Sequence, residues 1–187
     1  QQAPHGIHVP LVTPFTAEGD VDTATLASLV ESLVAAGVHA IAPLGSTGEA
    51  AYLSEAEYDT VVDTVTRSVA QRVPVIVAAS ELATANAIRR AEYAQEAGAD
   101  AVMVLPISYW KLSDREIVRH YSSISAAIDL PIMAYNNPAT SGVDMSPELL
   151  VSMFTDIDNV TMVKESTGDL SRMLRIKELT GSELPFY

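Results

Sequence analysis

Apolar, β-branched runs recur along the chain at Ile7–Val12, His39–Leu44, Val73–Ala79, Ala101–Leu105, Pro131–Asn136 and Val160–Glu165. Each has the length of a strand and is bounded by turn residues. Between these runs the apolar positions change to helical spacing. Leu26, Leu29, Val30, Leu33 and Val34 follow i, i+3, i+4, i+7, i+8 and stop at Gly37, a C-terminal cap. Ser54-x-x-Glu57 and Ser113-x-x-Glu116 are capping boxes that open two further helices. The first turns Val61, Val62, Val65 and Val69 inward, and the second Ile117, Tyr121, Ile124 and Ile128. Helices are also expected from about Thr84 to Gly98, from Ser146 with Pro147 in the first helical position, and over Asp169–Thr180 before Gly181.

Strands alternating with helices predict parallel pairing, and a run as uniformly apolar as Val73–Ala79 is buried on both faces. A doubly wound dinucleotide-binding sheet carries a Gly-rich turn after its first strand, whereas Thr13-Pro14-Phe15 stands there. The pattern therefore predicts an α/β fold of the (β/α)8 TIM-barrel type. Such a barrel takes about 250 residues, so this chain would hold about six βα units and the start of strand 7 near Phe186. Residues 1–187 are expected to form a single barrel domain, incomplete on its C-terminal side, with strands 7 and 8 and the C-terminal helices missing.

Composition narrows the partners. A hydrophobic content of 48% over 187 residues is enough for a sizeable core, and a net charge of -13 repels phosphate backbones and anionic membrane surfaces. No nucleic acid and no membrane are expected as partners. The chain has no cysteine, and His5, His8, His39 and His120 fall in no metal-binding spacing, so neither a disulfide nor a metal site is expected. Gln1–His5 lacks the features of a signal peptide and no apolar run nears the roughly 18 residues of a membrane span, which makes the cytoplasm the expected compartment. Glu55, Glu57 and Asp59 are expected to form a solvated, dipole-compensating face at a helix start.

Candidate chemistry gathers at the strand ends. Lys164 closes the apolar run Val160–Glu165. Two readings of it are open. A lysine kept from water supplies a neutral, nucleophilic amine for imine formation, while a lysine just past its strand carries its charge out to solvent. Gly45-Ser46-Thr47-Gly48-Glu49 ends the second run, and its two glycines allow a sharp turn that points N–H groups and hydroxyls at an anion such as a carboxylate. Glu49 is expected to orient that turn. Tyr135, ending the fifth run, either relays protons near Ser46 or fills the barrel end with its hydroxyl in water. Lys111 and Lys177 sit at no strand end.

Taken together, Thr13-Pro14-Phe15, the G-x-T-G-E turn of Gly45–Glu49, the Y-N-x-P of Tyr135–Pro138, and Val163-Lys164-Glu165-Ser166 with Gly168 resemble the dihydrodipicolinate synthase/N-acetylneuraminate lyase family of class I Schiff-base lyases. The resemblance covers essentially the whole chain. It implies a (β/α)8 barrel with a C-terminal helical extension, a homo-oligomer (dimer or tetramer), and no metal or organic cofactor. Lys164 would form the imine with pyruvate or another 2-oxo acid, and Tyr135 would be the general acid/base. Ser46, Thr47 and Gly48 would hold the substrate carboxylate. Tyr109 matches the tyrosine that the synthases contribute across a dimer interface, with the adjacent Trp110 as the alternative. The synthases carry an arginine two residues after the proline of Y-N-x-P, where Thr140 stands here, and Thr140 is placed on the substrate. That departure points toward the lyase branch and away from condensation with aspartate semialdehyde. A non-catalytic barrel that binds small molecules is the remaining alternative.

Overall fold

The computed structural model describes residues 4–181 and 183–187. Six strands, β1 (His8–Pro10), β2 (Ala40–Ala42), β3 (Ile76–Ala78), β4 (Ala101–Val104), β5 (Ile132–Asn136) and β6 (Val160–Glu165), alternate with helices. The helices are α1 (Thr23–Ala35), α2 (Glu55–Val69), α3 (Thr84–Glu96), α4 (Asp114–Ser125), α5 (Pro138–Ser141), α6 (Pro147–Asp156) and α7 (Leu170–Thr180). Every ladder is parallel: β1 pairs with β2, and β3-β4-β5-β6 follow in chain order. A parallel bridge between Ile41 and Val75 joins the two sheets, and another between Val163 and Phe186 adds the beginning of the next strand.

The strip is curved into a barrel. His8, Pro10, Ala42, Ile76, Met103, Met133 and Lys164, drawn from all six strands, border a single interior space. The curl brings the ends of the described chain together, with the His8 ring stacked on Tyr187 at 4.2 Å and the Tyr187 hydroxyl donating to the Pro4 carbonyl. The chain is therefore the first six βα units of a (β/α)8 barrel.

β2 and β3 are shorter than their apolar runs, where Pro43 and Pro74 lack the N–H a ladder requires. Both capping boxes form: the Ser54 N–H donates to Glu57 over 2.7 Å and the Ser113 N–H to Glu116 over 2.8 Å. Two buried tyrosines tie helices to strand ends next to the site. The Tyr58 hydroxyl of α2 donates to Ala78 O over 2.8 Å, and that of Tyr121 on α4 to Val104 O over 2.6 Å. Burial pushes both phenols far above their ordinary range.

The segment after Pro138 is the short helix α5, started by the proline and closed by Gly142 in the left-handed conformation. One local expectation changes. The acidic start of α2 is not simply solvated. Glu55 pairs with Arg89 and Arg90 at 2.7 Å each, and Asp59 with Arg89 at 2.7 Å, so these carboxylates clamp α3. No helix of the described residues is long and apolar enough to cross a membrane.

Candidate active site

β5 and β6 lie in register, with Tyr135 opposite Lys164 and, one residue on, Asn136 opposite Glu165. Successive side chains of a strand point to opposite faces, so one pair must look into the barrel and the other toward the helices. Lys164 and Tyr135 form the inward pair. The Lys164 Nζ lies 4.3 Å from the centroid of the Tyr135 ring, and Tyr135 is 5% exposed. Lys164 is half-buried and shares the interior with Ile76, Met103 and Met133. Among the described residues no carboxylate forms a salt bridge with it.

The outward pair is saturated with partners. Asn136 is fully buried; its Nδ2 donates to Asp144 over 3.1 Å and to Glu165 over 3.2 Å, and its Oδ1 accepts from the Met145 N–H over 2.9 Å. The Glu165 side chain is 2% exposed and accepts from Arg172 Nε of α7 over 3.1 Å and from the Thr167 N–H over 3.0 Å. Arg172 also pairs with Asp144 at 3.0 Å and donates to Met145 O. A buried carboxylate is tolerated only when paired and hydrogen-bonded in this way. The network locks the strand ends and thereby the inward direction of Tyr135 and Lys164.

The third component follows β2. Leu44, buried and not a glycine, has φ 65°, a left-handed conformation costing on the order of 1–3 kcal/mol that accumulates at functional sites. It turns the chain abruptly into a 3-10 turn over Ser46–Gly48. Within this turn the Gly48 N–H donates to Gly45 O over 3.0 Å and the Glu49 N–H to Ser46 O over 3.1 Å. Gly48 is also packed: its carbonyl accepts from Thr13 Oγ1 over 2.7 Å, and a Cβ there would stand 3.0 Å from Leu11 O. The anion-binding role expected of Gly48 therefore has no free N–H to perform it. The N–H groups of Ser46 and Thr47, at the open start of the turn, have no protein acceptor among the described residues.

Ser46, Glu49, Tyr135, Thr140 and Ser141 line one cavity of about 330 Å³. Lys164 lines a second cavity that has Met103 in common with this one, and its amine lies against the Tyr135 ring. The structure thus gathers Lys164, Tyr135, Ser46 and Thr140. Thr47 is exposed and off the cavity wall. Tyr109 is also outside it, 84% exposed and edge-on to Trp110 at 5.1 Å between centroids. The expected proximity of the Tyr135 hydroxyl to Ser46 is not realised as a hydrogen bond among the described residues. Its oxygen instead accepts from Asn137 Nδ2 over 2.9 Å. Asn137 escaped the sequence reading, although its place two residues beyond Tyr135, on the same side of an extended strand, was the available signal.

Known proteins resemble this chain over nearly its whole length. A profile described as the dihydrodipicolinate synthetase family matches residues 3–187. The 4-hydroxy-tetrahydrodipicolinate synthase of Syntrophobacter fumaroxidans is 37% identical over 179 residues, 96% of this chain and 61% of that protein. A Pseudomonas aeruginosa protein of known crystal structure superposes with a TM-score of 0.97 at 54% identity, covering 99% of this chain and 64% of that one. The chloride-inhibited dihydrodipicolinate synthase of Acinetobacter baumannii, solved with pyruvate, gives 0.95 at 32% identity, covering 99% and 63%. The chain thus spans less than two thirds of the length of the relatives it matches.

Proposed function

This chain belongs to the dihydrodipicolinate synthetase family, and from that membership and the Lys164–Tyr135 pair we propose that it carries the Schiff-base machinery of a 2-oxo acid lyase. Lys164 Nζ adds to the ketone carbon of a pyruvate-like 2-oxo acid, and loss of water leaves a protonated imine. The neighbouring carbon then gives up a proton, its electrons flowing into the iminium, and the resulting enamine attacks an aldehyde carbon whose oxygen takes up a proton. Water hydrolyses the imine and returns the amine. The reverse sequence cleaves the same carbon–carbon bond. Every step is a proton transfer, an addition or an elimination, so no metal or organic cofactor is required.

Tyr135 moves these protons, held in aim by the Asn137 amide. The Ser46 hydroxyl and the N–H groups of Ser46 and Thr47 hold the substrate carboxylate, and Thr140 meets the far end of the substrate. The exposed Tyr109 and Trp110, at 84% and 76%, suit a loop that seats on a second copy in a cytoplasmic dimer or tetramer. The observation that carries the reading is the 4.3 Å approach of an inward lysine, without a salt-bridge partner among the described residues, to an inward tyrosine. Its test is deuterium exchange at the methyl group of pyruvate, followed by proton NMR in D2O with the full-length protein. Exchange that disappears in Lys164→Ala is expected; exchange unchanged in that variant would overturn the proposal.

A second reading has its own support, because the matched curated relatives are 4-hydroxy-tetrahydrodipicolinate synthases. It predicts condensation of pyruvate with aspartate semialdehyde although a threonine, not a cation, stands at position 140. Negligible turnover of that aldehyde by a protein that exchanges pyruvate eliminates it. A barrel that only binds small molecules would instead retain carboxylate binding without exchange.

A further inference from the structure

A cavity of about 430 Å³ lies in the helix layer, between the start of α3, the loop after β4 and α4. It has Leu82 and Ile107 in common with the cavity at Tyr135, but none of the residues assigned to the imine chemistry. Units 3 and 4 of an eight-unit ring stand opposite units 7 and 8, so neighbouring units that the chain holds in full supply its walls. Leu82, Pro106, Ile107 and Leu112 make its apolar surface.

Several of its polar groups are already engaged. Ser123 Oγ donates to Arg119 O over 2.8 Å, and Glu116 accepts from the N–H and Oγ of Ser113 over 2.8 and 2.7 Å. Thr84 Oγ1 lies 2.9 Å from His120 Nδ1. Three groups keep capacity. The exposed Arg119 forms no salt bridge among the described residues, whereas Arg72, Arg89, Arg90, Arg172 and Arg175 all pair with carboxylates. His120 Nε2 is buried without a hydrogen-bond partner among the described residues, a condition that calls for an occupant. Ser108 Oγ accepts from the Trp110 N–H over 3.1 Å and still has its own proton to give. All three groups donate at once when Thr84 donates to Nδ1, because Nε2 then carries the ring proton.

We infer that this cavity is a binding site for a small organic anion with a phosphate or carboxylate head and a short apolar body. The head accepts from Arg119, His120 Nε2 and Ser108, and the body covers Leu82, Pro106, Ile107 and Leu112. In a chain of net charge -13, an anion is held only where local donors outweigh the general repulsion, and this cavity concentrates them around one uncommitted guanidinium. The inference uses no group of the imine chemistry and stands or falls apart from it.

Isothermal titration of the full-length protein with butyl phosphate and with pentanoate tests it, with inorganic phosphate as the head alone and butanol as the body alone. For at least one of the two amphiphilic anions, a saturable component tighter than either partial probe is expected. The tighter of the two identifies the head group. Arg119→Ala, a change at an exposed position, is expected to weaken that component about tenfold or more, Arg119→Lys less, and Lys164→Ala not at all. Binding that is lost in Lys164→Ala would place the anion in the catalytic cavity and overturn the inference. Equal affinity of the wild-type and Arg119→Ala proteins, or no saturable binding of either anion, would overturn it as well.

Discussion

The two faces of β5 and β6 differ in how their polar groups are partnered. On the outward face Asn136 and Glu165 spend nearly every donor and acceptor on Asp144, Met145, Thr167 and Arg172. On the inward face, one residue earlier on each strand, Lys164 has a ring beneath its amine and Tyr135 a single amide on its oxygen. The same two strands thus carry a rigid anchor and an under-partnered reactive pair back to back. Register makes this possible: because the pairs Tyr135–Lys164 and Asn136–Glu165 are adjacent rungs, fixing one fixes the direction of the other. Polar capacity left open on the inward face is capacity a substrate can use.

If the faces are separable, their mutations will fail in different ways. Tyr135→Phe removes the proton carrier and is expected to lower kcat by about 10²–10⁴-fold while leaving thermal unfolding nearly unchanged, as checked by steady-state kinetics and calorimetry on one preparation. Arg172→Met strands the buried Glu165 carboxylate. It is expected to cost about 3–5 kcal/mol in denaturant unfolding, with activity lost in step with folded protein. A large kcat defect in a fully folded Arg172→Met protein would mean that the outward face does more than anchor. Asn137→Ala sits between these cases: losing one hydrogen bond onto Tyr135 should cost about 1 kcal/mol, a several-fold fall in kcat with unchanged unfolding.

The smallest expected effect lies off both faces and serves as a control. Burial holds the imidazoles of His8 and His120 below their ordinary value of 6.5. In acid the unfolded chain therefore takes up protons at these sites before the folded one does. Stability is complete above about pH 6.5 and declines as the pH falls below it toward the depressed folded values. His120→Asn, keeping a polar partner for Thr84, should flatten that decline in urea titrations at graded pH without altering the exchange of pyruvate.

Much of this was legible in the sequence, for physical reasons that can be named. The barrel showed in strand-length apolar runs alternating with helical periodicity, since that alternation leaves parallel pairing as the way to bury both faces. Lys164 stood out because a cation closing an apolar strand needs a compensating purpose. What stayed hidden depends on distance in the chain. Arg172 reaches back to Met145 and Asp144, and Arg90 clamps residues of α2 and of the loop after β3, contacts that no local spacing announces. Glu55 and Asp59 looked like an ordinary solvated helix start until α3 brought Arg89 and Arg90 against them. Gly48 was legible as a turn residue, but not as one whose N–H is spent inside the turn.

The central claim is that the inward lysine, and neither of the other two, is the nucleophile. Incubating the full-length protein with pyruvate and borohydride and mapping the peptides by mass spectrometry tests it directly. One reduced pyruvyl group on the peptide containing Lys164, and none on those of Lys111 or Lys177, is the predicted result. An adduct at either other lysine, or no adduct on a folded protein, would contradict the account.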